Sequence, residues 1–192
     1  MKIERNHEVG ARLPEDVYEQ LRLLPEPEIG EEICKSLFFD IVALLNSEGI
    51  KVDFYKSGFR VKSLDRIKAK VESRNSTSPL RDIYGIQIIT EERDRERIKD
   101  IIQSNYPATP KNFPDGMPSF RDYADTETRE YIKSKFNPHI SSLYSAMHVN
   151  IVFVREGVDV CDIAEVQVMT QAELALYNHT REEYLNARTN NY

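Results

Sequence analysis

Asp82 and Glu165 are two acids set on segments that read as neighbouring strands, and a dense run of cations stands just ahead of the first. Acids are disfavoured in strands, so a carboxylate on a sheet face needs a partner, commonly a cation or a metal. Two oxygen ligands plus substrate phosphates suit Mg2+, which keeps several waters and rarely takes an all-protein cage. Each acid could equally pair with a nearby Arg or Lys. The cations are Arg60, Lys62, Arg66, Lys68, Lys70 and Arg74, set against Asp65 and Glu72, in a chain whose net charge is −6. Such a basic island is suited to an anionic ligand, and beside a carboxylate on a sheet it suggests a metal-bound nucleotide. A solvated charged face is the plainer alternative. Tyr144 and His148, four residues apart, offer a stacking platform for a base and a hydrogen-bond donor to phosphate or sugar. They could also be a core tyrosine and a capping histidine.

The elements that must position these residues follow from pattern. Arg60–Arg74 reads as a cationic helix with a narrow apolar stripe of Val61, Leu64, Ile67 and Val71. NSTSP at 75–79 reads as a turn. Leu80–Thr90 (LRDIYGIQIIT) is apolar enough for a buried strand, with Asp82 at its mouth. Upstream, Pro14 with Glu15 and Asp16 marks a helix start, and Leu21–Leu24 a short helix ending at Pro25. Glu31–Glu48 is a helix by the spacing of Ile33, Leu37, Ile41, Leu44 and Leu45, and Gly49 stops it. Ile50–Phe59 reads as a short strand or extended arm. Glu91–Ser104 is a helix buried through Ile98, Ile101 and Ile102. Tyr106–Asn137 is irregular and rich in proline, with room for a short helix over Asp125–Lys135.

His148–Val154 and Val160–Thr170 form a hairpin turned at Gly157. From 163 onward the second strand alternates, with Ala164, Val166 and Val168 on one face and Ile163, Glu165 and Gln167 on the other. Thr170 caps a last helix, Gln171–Leu185, with Glu173 in a capping box. The order gives an α+β fold, a mixed β-sheet flanked by α-helices. We divide the chain into a helical part, 1–49, of the same domain, a core, 50–185, and a flexible tail, 186–192.

Bulk properties narrow the class. The chain has 192 residues, 40% of them hydrophobic and 30% charged, enough for one domain with a real core. No run approaches the roughly 18–20 apolar residues that span a membrane, and the N-terminus shows no signal-peptide pattern. Cys34 and Cys161 lie far apart without metal-ligand spacing, which makes a pair of thiols and a cytoplasmic location the expectation. The acidic total argues against duplex DNA as a partner. There is no P-loop and no dinucleotide fingerprint, and His7, His139, His148 and His179 show no zinc spacing.

Together these pieces resemble the synthetase domain of the RelA/SpoT family, the alarmone synthetases, over roughly Arg60–Tyr184. RVKSLDRIKAK is similar to the family's ATP-binding stretch, and RDIYGIQII to its Asp-Ile-x-Gly-Ile-Arg-Ile strand. Asp122-Tyr123 is similar to the Asp-Tyr before the acceptor loop, LYSAMH to Gly-Tyr-Arg-Ser-Leu-His, and AEVQVMT to Glu-Ile-Gln-Ile-Arg-Thr. The resemblance implies a nucleotidyltransferase-like sheet and transfer of pyrophosphate from ATP to the 3′-hydroxyl of GDP or GTP, giving (p)ppGpp with Mg2+. It also implies roles. Arg60 would stack on adenine, and Lys62, Lys68, Lys70 and Arg81 would serve ATP. Asp82 and Glu165 would be catalytic and hold the metal. Tyr144, His148, Gln167 and Lys135 would serve the acceptor.

The chain departs from the family's pattern at Gln87 and Met169, where arginine is usual, at Ala146, where serine is usual, and at Ser142-Leu143 before Tyr144. These fall on the acceptor half. Two alternatives follow. One is a toxin-type relative that acts on the tRNA 3′ end or makes adenosine alarmones, with an antitoxin protein as partner. The other is a nucleotide-binding module without turnover. Oligomeric state is left open.

Overall fold

The computed structural model describes residues 3–4, 12–73, 76–108, 117–138, 140–141 and 143–179. The strands are β1 (Ile3–Glu4), β2 (Gly58–Val61), β3 (Tyr84–Thr90), β4 (Phe120–Asp122), β5 (Met147–Arg155) and β6 (Asp162–Thr170). The helices are α1 (Val17–Arg22), α2 (Pro27–Ser47), α3 (Leu64–Glu72), α4 (Arg95–Asn105) and α5 (Thr126–Lys135), and residues 171–179 are helical too. The expected reach of that last helix to Leu185, the 186–192 tail and Arg74 lie outside the described residues.

Among the described residues the sheet runs β1–β5–β6–β3–β2, with β4 also paired to β5. β3 and β6 are parallel and the other pairs antiparallel. The β5–β6 hairpin turns at Gly157, whose φ of +78° is a conformation glycine takes without steric cost. The register puts Tyr84, Ala164 and Ile151 in one row and Ile86, Val166 and Val149 in another. These rows face α2 and α4, and with Ile33, Leu37, Ile41, Leu45, Ile98 and Ile102 they make the main core. Full burial of each such side chain contributes about 1.5–3 kcal/mol. The alternate rows face away from that core, and they carry the polar side chains.

Several boundaries differ from the sequence reading. Arg60 and Val61 belong to β2, not to a helix, because their backbone pairs with Gly85 and Tyr84. Lys62 N–H continues that ladder to the Ile83 carbonyl at 2.9 Å, so α3 begins only at Leu64. β3 starts at Tyr84, which leaves Asp82 just before the strand. Of the expected strand over Ile50–Phe59, only Gly58 and Phe59 are paired. β4 lies within the stretch read as irregular. The helix expected over Asp125–Lys135 is present as α5, with Asp125 as its N-cap accepting from Thr128 N–H at 2.8 Å.

Cys34 is fully buried on α2, and its thiol lies 3.5 Å from the Arg60 carbonyl and 3.7 Å from that of Gly85. Burial pushes this thiol up to about 12, so it stays protonated. We expect Cys34 to resist iodoacetamide at pH 8 until the protein is unfolded. Mass-spectrometric detection of Cys34 labelling in the folded protein would contradict this packing.

Candidate active site

The polar face of the sheet is built by two cross-strand rows. One runs Arg60, Gly85, Glu165, Asn150, and the next runs Gly58, Gln87, Gln167, His148, Arg121. Period-two alternation sends all of these side chains to the side opposite the main core. Parallel pairing of β3 and β6 then brings the segment before β3, with Asp82, to the neighbourhood of Glu165.

Asp82 sits between two lysines. Its Oδ2 accepts from Lys62 Nζ at 2.5 Å and Lys70 Nζ at 2.7 Å. Its Oδ1 is buried and has no hydrogen-bond partner. Burial alone would raise this carboxyl, but Lys70 and Lys62 outweigh it and hold the group below its ordinary value. Burial, reinforced by the like charge of Lys70, lowers the Lys62 ammonium although Asp82 pulls the other way. A half-buried acid with one saturated oxygen and one buried, orphaned oxygen fits a hard cation, which takes oxygen ligands. Among the described residues no group of three or more His, Cys, Asp or Glu could hold a metal on its own.

Glu165 is held from three sides. Its Oε2 accepts from Arg121 Nη2 at 3.0 Å and faces His148 Nδ1 at 3.1 Å, while its Oε1 accepts from Gln167 Nε2 at 2.8 Å. The His148 contact is at ion-pair distance without hydrogen-bond geometry. Burial would raise the Glu165 carboxyl, yet His148, Arg121 and Gln167 hold it well below the usual carboxylate range. Arg121 is 1% exposed. It also donates to Asn150 Oδ1 and the Pro118 carbonyl, each at 2.6 Å.

Tyr144 and His148 form one cluster. Tyr144 Oη and His148 Nε2 are 2.6 Å apart, with donor and acceptor set by the imidazole tautomer. Tyr123 packs edge-on against both rings, at 5.2 Å from Tyr144 and 4.7 Å from His148, and Tyr177 lies 5.9 Å from Tyr144. Burial, with Glu165 next, pushes the Tyr144 phenol well up, so it remains protonated. The departures at 146 and 169 meet here. Ala146, Met169 and Ile89 form a small apolar cluster against Tyr144 and Leu174.

The sequence-predicted residues thus fall into groups. Lys62, Lys70 and Asp82 come together, as do Glu165, Gln167, His148 and Tyr144. Arg60 lies on the same face, its side chain over Gly85. Arg81 is buried, and its carbonyl accepts from Asn150 Nδ2 at 3.4 Å. Lys68 is exposed on α3, and Lys135 is exposed in the last turn of α5, outside these clusters. Sequence reasoning left Arg121 inside a stretch read as irregular and passed over Asn150. Their signals were an arginine beside Asp122-Tyr123 and a lone amide in the apolar run HVNIVFV.

A second network closes this end of the sheet. The capping box is formed: Thr170 N–H donates to Glu173 Oε2 at 2.7 Å, and Glu173 N–H to Thr170 Oγ1 at 3.1 Å. Glu173 also pairs with Arg95 Nη1 at 2.9 Å and accepts from Ser145 Oγ. Arg95 Nη2 reaches Asp122 at 3.0 Å. One buried guanidinium therefore ties α4, β4 and the helix over 171–179 together. Arg95→Ala should cost about 3 kcal/mol, the usual effect of removing one partner of a buried pair. A thermal-denaturation midpoint within a degree of the wild type would contradict that role.

The mixed sheet flanked by helices, with lysines clustered around Asp82, defines an α+β domain. The family model described as the region found in RelA / SpoT proteins matches residues 59–186. The chain therefore belongs to the RelA/SpoT family. Its fold is that of small synthetases in the family. It is similar to a GTP pyrophosphokinase family protein from Streptococcus pneumoniae at 20% identity and TM-score 0.56, covering 83% of this chain and 73% of that one. It is similar to small alarmone synthetase 1 from Bacillus subtilis at 16% identity and TM-score 0.56, covering 85% and 77%. The same enzyme bound to its product pppGpp matches at 21% identity and TM-score 0.54, covering 90% and 83%. No curated protein matches the chain.

Proposed function

We propose that this protein transfers pyrophosphate from ATP to the 3′-hydroxyl of a guanine nucleotide, GDP or GTP, with Mg2+. The observation that carries this reading is Asp82, clamped by Lys62 and Lys70 through one oxygen and unpartnered at the other, near Glu165. Family membership supports it, and so does the pppGpp bound to the Bacillus subtilis enzyme of the same fold. Asp82 would hold Mg2+ through Oδ1, with Glu165 nearby to complete the site, and the ion would supply charge neutralisation at the triphosphate. Lys62 and Lys70 would then turn toward the phosphates, where they offset charge that builds as the 3′-oxygen attacks the β-phosphorus, the bond to the α–β bridging oxygen breaks and AMP leaves. Glu165, held ionised, would orient the acceptor hydroxyl or take its proton. Arg60 would stack on the adenine. Tyr144 and His148 would release each other to receive the acceptor.

A second reading keeps the chemistry and changes the acceptor to an adenine nucleotide or the tRNA 3′ end. The apolar cluster of Ala146, Met169 and Ile89 behind Tyr144 favours it. One experiment separates the two. The protein is incubated with Mg2+ and ATP labelled at the γ-phosphate, and GDP, GTP, ATP alone and bulk tRNA are offered in turn. Label on a guanine nucleotide is the expected result. Label on tRNA or an adenine nucleotide would move the assignment to the second reading, and no transfer to any acceptor would overturn both. Tyr144→Ala should raise the acceptor KM about tenfold or more, the usual worth of one stacked base, with the ATP KM unchanged. Equal losses for both substrates would remove the stacking role.

A further inference from the structure

Gly85 is the second residue of β3, a strand position where glycine is less favourable than alanine. Its backbone does not require glycine, since Gly49 and Gly157 are the described glycines with positive φ. Space does. A Cβ at Gly85 would lie 3.2 Å from both Cγ and Nε of Arg60, whereas the other described glycines have nothing closer than 3.7 Å. Glycine inside a strand commonly marks such a close approach. The register explains the contact: Arg60 faces Gly85 on β2, and Gly85 faces Glu165 on β6. The Arg60 side chain therefore lies over Gly85 on β3, along the row that continues to Glu165.

We propose that Gly85 is a positioning residue for the nucleotide base. Its missing side chain is the slot that seats Arg60 against the sheet, so that the guanidinium plane is set for stacking before the nucleotide arrives. The tight contacts of a side chain at 85 would be with an exposed arginine side chain, while the nearest backbone atom, the Arg60 carbonyl oxygen, is at an ordinary 3.7 Å. The fold then survives the substitution and the seat is lost. Pre-setting the arginine matters because ordering a long side chain on binding carries an entropic cost. This inference rests on the assignment of Arg60 to ATP.

The test uses Gly85→Ala, Arg60→Ala and the double variant, each compared with the wild type in three measurements. In the ligand-free protein, the 15N–1H resonance of Arg60 Nε, assigned by its loss in Arg60→Ala, should move in Gly85→Ala, and the melting temperature should stay equal or rise slightly. By calorimetry with ATP and Mg2+, Gly85→Ala should weaken ATP binding about tenfold, and Arg60→Ala at least as much. The double variant should bind no more weakly than Arg60→Ala alone. An unmoved Nε resonance, an equal tenfold loss from Gly85→Ala in the Arg60→Ala background, or ATP binding insensitive to Arg60→Ala would each overturn the proposal. Wild-type protein that binds no ATP would instead sink the pyrophosphate-transfer reading, and the Nε resonance would still decide whether Gly85 seats Arg60.

Discussion

Asp82→Asn should lower pyrophosphate transfer by a factor of about 10³ or more while leaving the protein folded. The substitution keeps size and shape and changes two things. It removes the negative charge that Lys62 and Lys70 approach at 2.5 and 2.7 Å, and it replaces one oxygen with an amide nitrogen that cannot bind a cation. If the nitrogen takes the Oδ1 position, the ligand for Mg2+ is lost. If it takes the Oδ2 position, two ammonium groups face a donor. Either orientation removes metal binding or scatters the lysines. Lys70 remains about one-third exposed and can move toward water, so the loss of stability should be small beside the loss of rate. Asp82→Glu tests the geometry separately. It keeps the charge but moves it by one methylene, and should recover less than a tenth of the activity. The check is the label-transfer assay with a melting curve for each variant. An Asp82→Asn protein that melts normally and keeps more than a tenth of the wild-type rate would remove Asp82 from the chemistry.

What could be read from sequence, and what could not, divides along contact range. The alternation from 163 to 170 is local, and it put Glu165 and Gln167 on the correct face. Thr170 and Glu173 are three residues apart, and their reciprocal capping is written in that spacing. The cationic run Arg60–Arg74 misled because composition favours a helix, whereas its first residues are claimed by pairing to Gly85 and Tyr84 far along the chain. Tertiary pairing overrode local preference there. β4 has three residues and gains its partner from β5, some 25 positions later, so nothing within it announces a strand. The same pairing carries Arg121 from an apparent surface loop to the floor beneath Glu165. The Tyr144–His148 pair was legible as a unit, but Tyr123 and Tyr177 around it were not, because each arrives from a different element.

Glu165→Gln should lower activity by about 10²–10³ and, unlike the change at Asp82, should also destabilise the fold by about 3 kcal/mol. The reason is Arg121. Its guanidinium is 1% exposed and its neutralising partner is Glu165. The amide introduced by the substitution would still accept a hydrogen bond, but it leaves a buried cation without a counter-charge, and one with an orphaned Nε already. The two effects can be separated by removing the cation as well. Buried ion pairs are often replaced by apolar groups at little net cost, whereas a single member left alone is expensive. Arg121→Met combined with Glu165→Leu should therefore be more stable than either single variant, a coupling that independent sites would not show. It should nevertheless be inactive, because stability comes back without the carboxylate. Urea denaturation of the four proteins measures the first half of this expectation and label transfer the second. Additive losses of stability would mean that Arg121 and Glu165 do not act as a pair. A stable, active double variant would mean that Glu165 serves the fold alone, leaving Asp82 as the carboxylate that supports the transfer.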